Sequence, residues 1–334
     1  MYKILNQARG LKLIDFYNNN DFHIILSNYG ASVYEIEMED RNNKRELITL
    51  TPQYAFYYNT PKYAGLTVGR VCGRIEKGEF NIGSIKYHID PNEKGNLNHS
   101  GKNTFAFKFF DFKIEDNDDL TLVTFFLNIK DMEDEFPGDL EFRVVYHLYK
   151  NKNKMRIEFQ GISSKDTILN VCNHTYFNLS GGLKRNILDH ELSINKGYVA
   201  KMNDDLLLKH IEVVSKEFDF RKPRDIGRYI YSDEVLFPAK GYDHLFTGSK
   251  PLELSLYDSV SGRYMEVKST YKDVTIYTNN ISDNTIYLGD VIDSPYLGIA
   301  IEPNRMGGIF TKDGIILKAR TLYNYHTDYT FEVR

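Results

Sequence analysis

The chain has 334 residues, 42 % of them hydrophobic and 26 % charged, which is enough for a large core of the ordinary globular kind. A formal net charge of -4 offers no basic face, so a nucleic-acid or membrane-surface partner is not expected. No apolar run approaches a membrane span, and Met1–Gln7 lacks the basic and apolar regions of a signal peptide.

Aromatic residues reach 14 %, with 25 Tyr, 21 Phe and no Trp, a bias that favours pleated, half-buried surfaces. In chain order, Tyr34-Glu35-Ile36-Glu37-Met38-Glu39 alternates with period two and predicts a strand, closed by the turn cluster Asp40–Lys44. Gly69-Arg70-Val71-Cys72-Gly73-Arg74-Ile75 and Leu97-Asn98-His99-Ser100-Gly101 follow, each setting polar residues in apolar or Gly-rich surroundings. After the turn cluster Glu115–Asp119, Val123, Phe125, Leu127 and Ile129 predict an inward face. Leu122 and Phe126 make that strand apolar on both sides, which predicts a place in the middle of a sandwich. Beyond Pro137-Gly138-Asp139, alternation returns at Phe142, Val144, Tyr146 and Leu148, and again at Met155, Ile157 and Phe159. Three polar segments remain: Asn170 to Gly182, Tyr242-Asp243-His244, and Leu297 to Glu302, where one acid ends an apolar strand. No helical pattern of about 15 residues, no linker and no repeat interrupts the series. The expectation is an all-β chain, a large antiparallel β-sandwich forming a single domain over residues 1–334.

Missing motifs restrict the chemistry. There is no Walker or dinucleotide loop, since Gly65-Leu66-Thr67-Val68-Gly69-Arg70 lacks the Lys-Ser/Thr ending. The nine His show no metal-ligand spacing. Neither a cofactor nor a metal is predicted. Taken singly, the polar segments have ordinary explanations. Arg70 and Arg74, four apart on one face of an extended strand, suit surface ion pairs. Glu302 suits a strand edge, His174 a hydrogen-bonded core position, and Asp243 a turn.

Together and in order, the segments resemble the aldose 1-epimerase (galactose mutarotase) family over nearly the whole chain. Asn28-Tyr29-Gly30-Ala31 is similar to its Asn-x-Gly-Ala strand, Gly69-Arg70 to Arg74-Ile75 to Gly-Arg-x-x-Asn-Arg-Ile, and His99-Ser100-Gly101 to His-Gly-Gly. Phe136-Pro137-Gly138-Asp139-Leu140 matches a Phe/Tyr-Pro-Gly-x-Leu turn. Asn173-His174-Thr175-Tyr176-Phe177-Asn178-Leu179, the most specific segment, matches Asn-His-x-Tyr-Phe-Asn-Leu. The resemblance implies a galactose mutarotase-like supersandwich, with His174 as general acid and Glu302 as general base. Arg74, His99 and Asp243 would bind sugar hydroxyls, and Tyr176 would line the same pocket.

Mutarotation needs a base for the C1 hydroxyl proton and an acid for the ring oxygen. A carboxylate and an imidazole on opposite sides of the ring suffice, without cofactor. The sequence departs from the family where Gly73 stands for Asn and Thr275 for Gln. The smaller side chains predict weaker discrimination between galactose and glucose, or tolerance of a larger aldose. A glycoside hydrolase using Asp243 and Glu302 about 5–10 Å apart, or a non-catalytic sugar binder on the same scaffold, are the alternatives. An epimerase of a phosphorylated hexose would call on Arg70 or Arg305. Cys72 and Cys172, two residues before Arg74 and His174, suit free thiols in a reducing cytoplasm; whether they meet stays open. The sequons at Asn98 and Asn173 overlap the predicted site, which also favours the cytoplasm. The oligomeric state is left open.

Overall fold

The computed structural model of the chain describes residues 1–58, 60, 62–306 and 314–334. Among these the α-helices, Tyr54–Tyr57 and Asp233–Leu236, are four residues each, so strands and turns build the fold. Three larger sheets carry it. The first joins Tyr2–Asn6, Lys12–Tyr17, His23–Ser27, Ser32–Glu39 and Arg45–Leu47 as consecutive antiparallel neighbours. The second has nine strands, beginning with the meander Asp111–Asp116, Leu120–Ile129, Leu140–Tyr149 and Lys154–Ser163. Tyr323–Val333 then pairs between Lys154–Ser163 and Arg263–Ser269, so a strand late in the sequence lies mid-sheet. The third runs Tyr176–Phe177, Ile299–Asn304, Asp273–Tyr277, Asp243–Thr247, Tyr198–Met202 and Leu208–Val213.

The period-two alternation becomes one shared core. Ile14, Ile24 and Ile36 of the first sheet, Val144, Ile157 and Phe331 of the second, and Val274, Ile276 and Ile301 of the third are buried in a common cluster. Each such side chain contributes roughly 1.5–3 kcal/mol relative to exposure.

Two expectations need correction. The strand Leu120–Ile129 lies next to an edge strand, and its second apolar face is half exposed rather than covered by a sheet. Phe126 stands opposite Arg143, whose guanidinium is 5.6 Å from the ring centroid, so a charged side chain shields that face. Arg70 and Arg74 do not share a face either. Arg70 is fully buried and donates to Asp134 Oδ2 at 2.7 Å, Pro137 O at 2.8 Å, Thr167 Oγ1 at 2.9 Å and Gly138 O at 3.0 Å. It is the anchor of the Phe136–Leu140 turn, and a phosphate has no access to it.

Candidate active site

The third sheet sorts its residues by register. Asp243 stands opposite Tyr277, Tyr277 opposite Ala300, and Ala300 opposite Tyr176; one step along, Thr275 stands opposite Glu302. Cross-strand partners share a face, so Tyr176, Glu302, Thr275, Tyr277 and Asp243 lie together. The alternate residues, among them Phe177, Ile301, Ile276 and Phe246, enter the core. Glu302 is therefore not the end of its strand, as the sequence suggested. Ile299–Asn304 continues past it, and Glu302 is only 4 % exposed.

Loops bring the other residues to this face. Asn98 pairs with Arg74, and Cys172-Asn173 pairs with Thr67-Val68, which joins three motif segments side by side. Ser100 Oγ accepts from Val71 N at 2.7 Å and donates to Val71 O at 3.1 Å, fastening the His99 loop. Gly73 has φ +82°, a left-handed conformation that Gly adopts without strain, and its N–H donates to His99 Nδ1 at 3.2 Å. That bond places the His99 proton on Nε2.

Glu302 Oε1 lies 3.4 Å from His174 Nε2, both side chains 5 % exposed. Oε2 lies 3.3 Å from Cys172 Sγ. Burial raises the Glu302 pKa, and Asp243 adds to the rise, while His174, Cys172 and Arg74 oppose it. The His99 ring meets that of His174 edge-on at 5.4 Å. Burial, with His174 and Arg74 beside it, holds His99 well below the usual imidazole range, so the ring is a neutral donor at pH 7. Arg74 forms the rim: its Nε is 2.5 Å from Glu93 Oε2 and its Nη1 3.4 Å from Asp243 Oδ2. Burial works against the Arg74 charge, but Asp243 and Glu93 raise its pKa further. The arrangement is a buried acid–base pair beneath a half-buried Arg–carboxylate rim. It can move a proton at a bound hydroxyl and hold neighbouring hydroxyls in charge-assisted hydrogen bonds.

All six predicted site residues thus converge. Tyr176 is 1 % exposed, with its ring 5.0 Å from His174 and 6.1 Å from Tyr277, so it backs the site as part of the wall. The imidazole and carboxylate stand side by side rather than across a ring's width. Asp243, the second carboxylate of the glycosidase alternative, is tied to Arg74. Arg305 sets its guanidinium 5.8 Å from the Tyr325 ring centroid. His244 fits the ordinary explanation of an aromatic-strand histidine: it is buried beside Phe218, and burial pushes its pKa down to about 3.

Sequence reasoning missed Glu93, Tyr277, the contact of Cys172, and Tyr63, whose ring lies 4.9 Å from that of His99 and 6.1 Å from that of His174. Glu93 lies in a polar turn, Pro91-Asn92-Glu93-Lys94-Gly95, that looks like any solvated loop. Tyr277 was within reach, being two residues beyond Thr275 on one strand. Thr275 Oγ1 accepts from Asn304 Nδ2 at 3.0 Å, so the site face keeps an amide, carried by another residue. Among the described residues, the group of His and carboxylate atoms close enough to share a metal ion is His23, Glu35 and Glu37 in the first sheet, and none of the predicted site residues belongs to it.

The aldose 1-epimerase family profile matches residues 12–330. A galactose mutarotase of Homo sapiens is 30 % identical over 266 residues, 77 % of this chain and 75 % of its own length. An aldose 1-epimerase of Haemophilus influenzae is 27 % identical over 87 % of this chain and 85 % of its own. The crystal structure of a galactose 1-epimerase from Lactobacillus acidophilus superposes with a TM-score of 0.87 at 24 % identity, covering 100 % of this chain and 99 % of that one. The fold is of the galactose mutarotase-like kind. The chain belongs to the aldose 1-epimerase family, whose members named here are isomerases. No helix among the described residues is long and apolar enough to cross a membrane.

Proposed function

We propose that the protein interconverts the α and β anomers of a free hexose, galactose or glucose, with Glu302 as general base and His174 as general acid. The observation that carries this is the buried Glu302 Oε1–His174 Nε2 pair at 3.4 Å. The C1 hydroxyl oxygen and the ring oxygen share one carbon, so a base and an acid side by side reach both. Glu302 takes the C1 hydroxyl proton, His174 protonates the ring oxygen, and the C1–O5 bond opens. After rotation about C1–C2 the two groups reverse roles and the ring closes on its other face. A raised carboxyl pKa makes Glu302 a stronger base than a solvated glutamate, and proton transfer of this kind contributes roughly 10²–10⁴-fold. Arg74, Asp243 and His99 Nε2–H hold the remaining hydroxyls, with Tyr176 and Tyr277 behind them.

In this reading the chain acts as one domain over residues 1–334, needs neither metal nor cofactor, and works in the cytoplasm. The shared core of the three sheets supports the first, the sufficiency of one acid and one base the second, and two free thiols, Cys72 and Cys172, the third. Polarimetry on freshly dissolved α-D-galactose and α-D-glucose tests the activity: the protein accelerates the approach to equilibrium rotation, before and after chelator treatment. An unchanged rate with both sugars overturns the proposal.

A further inference from the structure

Two thiols stand beside the acid–base pair without a part in the reaction. Cys172 is 0 % and Cys72 5 % exposed, in a small cluster with Val68 that Tyr63 packs against. Cys172 opens the short strand that leads into His174, and its Sγ lies 3.3 Å from Glu302 Oε2. The two carboxylate oxygens therefore have different neighbours, an imidazole at Oε1 and a thiol at Oε2. The Cys72 thiol lies in the same buried cluster as Cys172, and its proximity helps to keep the Cys172 thiol protonated.

We propose that Cys172 is a positioning residue for the base: its S–H donates to Glu302 Oε2, fixes the plane of the carboxylate and reserves Oε1 for the sugar proton. This rests on the aldose 1-epimerase reading of the site. Burial, with Cys72 and Glu302 beside it, pushes the Cys172 thiol well above its usual range, so the sulfur keeps the proton it donates. A buried carboxylate stays ionised only with donors around it. The groups facing Glu302 are His174, Cys172, Asp243, Arg74, Tyr176 and Tyr329. Asp243 opposes ionisation, His174 and Arg74 favour it at a distance, and the thiol favours it through a bond to the oxygen that faces away from His174. The ordinary explanation is that Cys172 is a small apolar filler. A filler is replaceable by Val at no cost to the base, whereas a donor is replaceable only by Ser.

The test compares Cys172→Val and Cys172→Ser with the wild-type protein. Titration of the Glu302 carboxyl by ¹³C NMR needs no turnover, so it reads the bond even if polarimetry shows no activity and the functional reading fails. The Val variant titrates about one pH unit higher, and the Ser variant returns most of the way. In kinetics, Val moves the acid limb of kcat, where activity rises as Glu302 loses its proton, upward, and so lowers kcat about tenfold at pH values below it with KM for the sugar within twofold. The limb's position does not depend on the fraction of folded protein, so a destabilised variant still gives an answer. Cys72→Val, which removes only the outer thiol, moves the limb in the same direction by less. Equal Glu302 titration in the wild-type and Val proteins overturns the proposal, as does a Ser variant that behaves like Val.

Discussion

Two histidine–carboxylate clusters, one in the first sheet and one beside the third, use the same side chains to different ends. In the first, His23 Nε2 is 2.8 Å from Asp15 and Nδ1 2.9 Å from Glu37, and the ring stacks on Tyr17 at 4.0 Å. Both nitrogens are engaged at short range. In the second, His174 Nε2 is 3.4 Å from Glu302, and among the described residues no group bonds Nδ1. A ring with every hydrogen-bonding atom committed is held in one geometry and holds its neighbours. A ring with slack distances beside a buried carboxylate has capacity left for a ligand, as catalytic groups often do before substrate binds. The electrostatics diverge in the same way. Burial works against protonation of His23, but its bonds to Glu37 and Asp15 win and raise its pKa. His99, next to His174, has no such carboxylate bond and stays neutral.

The comparison breaks most sharply at Glu302. Glu302→Gln keeps size and shape but removes the proton acceptor, so anomer exchange measured by NMR exchange spectroscopy falls at least ~10²-fold, while calorimetric sugar binding changes by a few-fold. His174→Asn does the same from the acid side, and the double variant is little worse than either, because the pair acts as a unit. Near-normal exchange by Glu302→Gln would remove the base assignment and leave family membership as a statement about fold.

His23→Ala should have the opposite signature. It leaves Asp15, Glu35 and Glu37 without their imidazole, costs about 2 kcal/mol and lowers Tm by several degrees, yet kcat stays within twofold. A large loss of turnover at unchanged Tm would contradict the contrast between the clusters.

The pH dependences carry the same contrast. The acid limb of kcat/KM lies above the usual glutamate range, because activity appears only as pH rises through the raised Glu302 pKa of the free enzyme. Stability follows the first cluster. A raised His23 pKa contributes stability that is full below about 6.5 and lost as pH climbs through the folded value. Glu35, pushed up to about 7 mainly by burial, loses stability over the rise from its ordinary value to that point. Both have one sign, so the stability this cluster supplies falls from about pH 5.5 to 8, and the Tm deficit of His23→Gln relative to the wild-type protein shrinks over that range. A His23→Gln deficit that grows with pH over this range would refute it.

The smallest effect is expected at Gly73. A side chain there meets nothing within 4 Å, and Asn tolerates a positive φ better than most residues. Gly73→Asn should leave Tm within a few degrees and shift the ratio of kcat/KM for galactose and glucose by several-fold, since it adds an amide directly before Arg74. An unchanged ratio means Gly73 does not set sugar preference.

Much of this is legible in the sequence alone. Strict alternation at Phe142–Leu148 and Met155–Phe159 settled the strand assignment, because a side chain in a pleated strand has only two directions and water selects between them. The ordered motifs, through the resemblance they carry, make Glu302, His174, Arg74, His99, Asp243 and Tyr176 candidates, and the fold brings these six together. What the sequence by itself could not decide was who meets whom. Arg70 and Arg74 look equivalent at four residues' spacing, yet one is sealed under the Phe136–Leu140 turn and the other faces Asp243 and Glu93. Glu93 joins the rim from a turn with no periodic signal. Cys172 reaches Glu302 across 130 residues of chain, because strand pairing places Cys172 beside Val68 and Thr275 beside Glu302. Local alternation is a property of the backbone and is written in every pair of neighbours; these contacts depend on register between distant strands, which only the packing of the whole chain chooses.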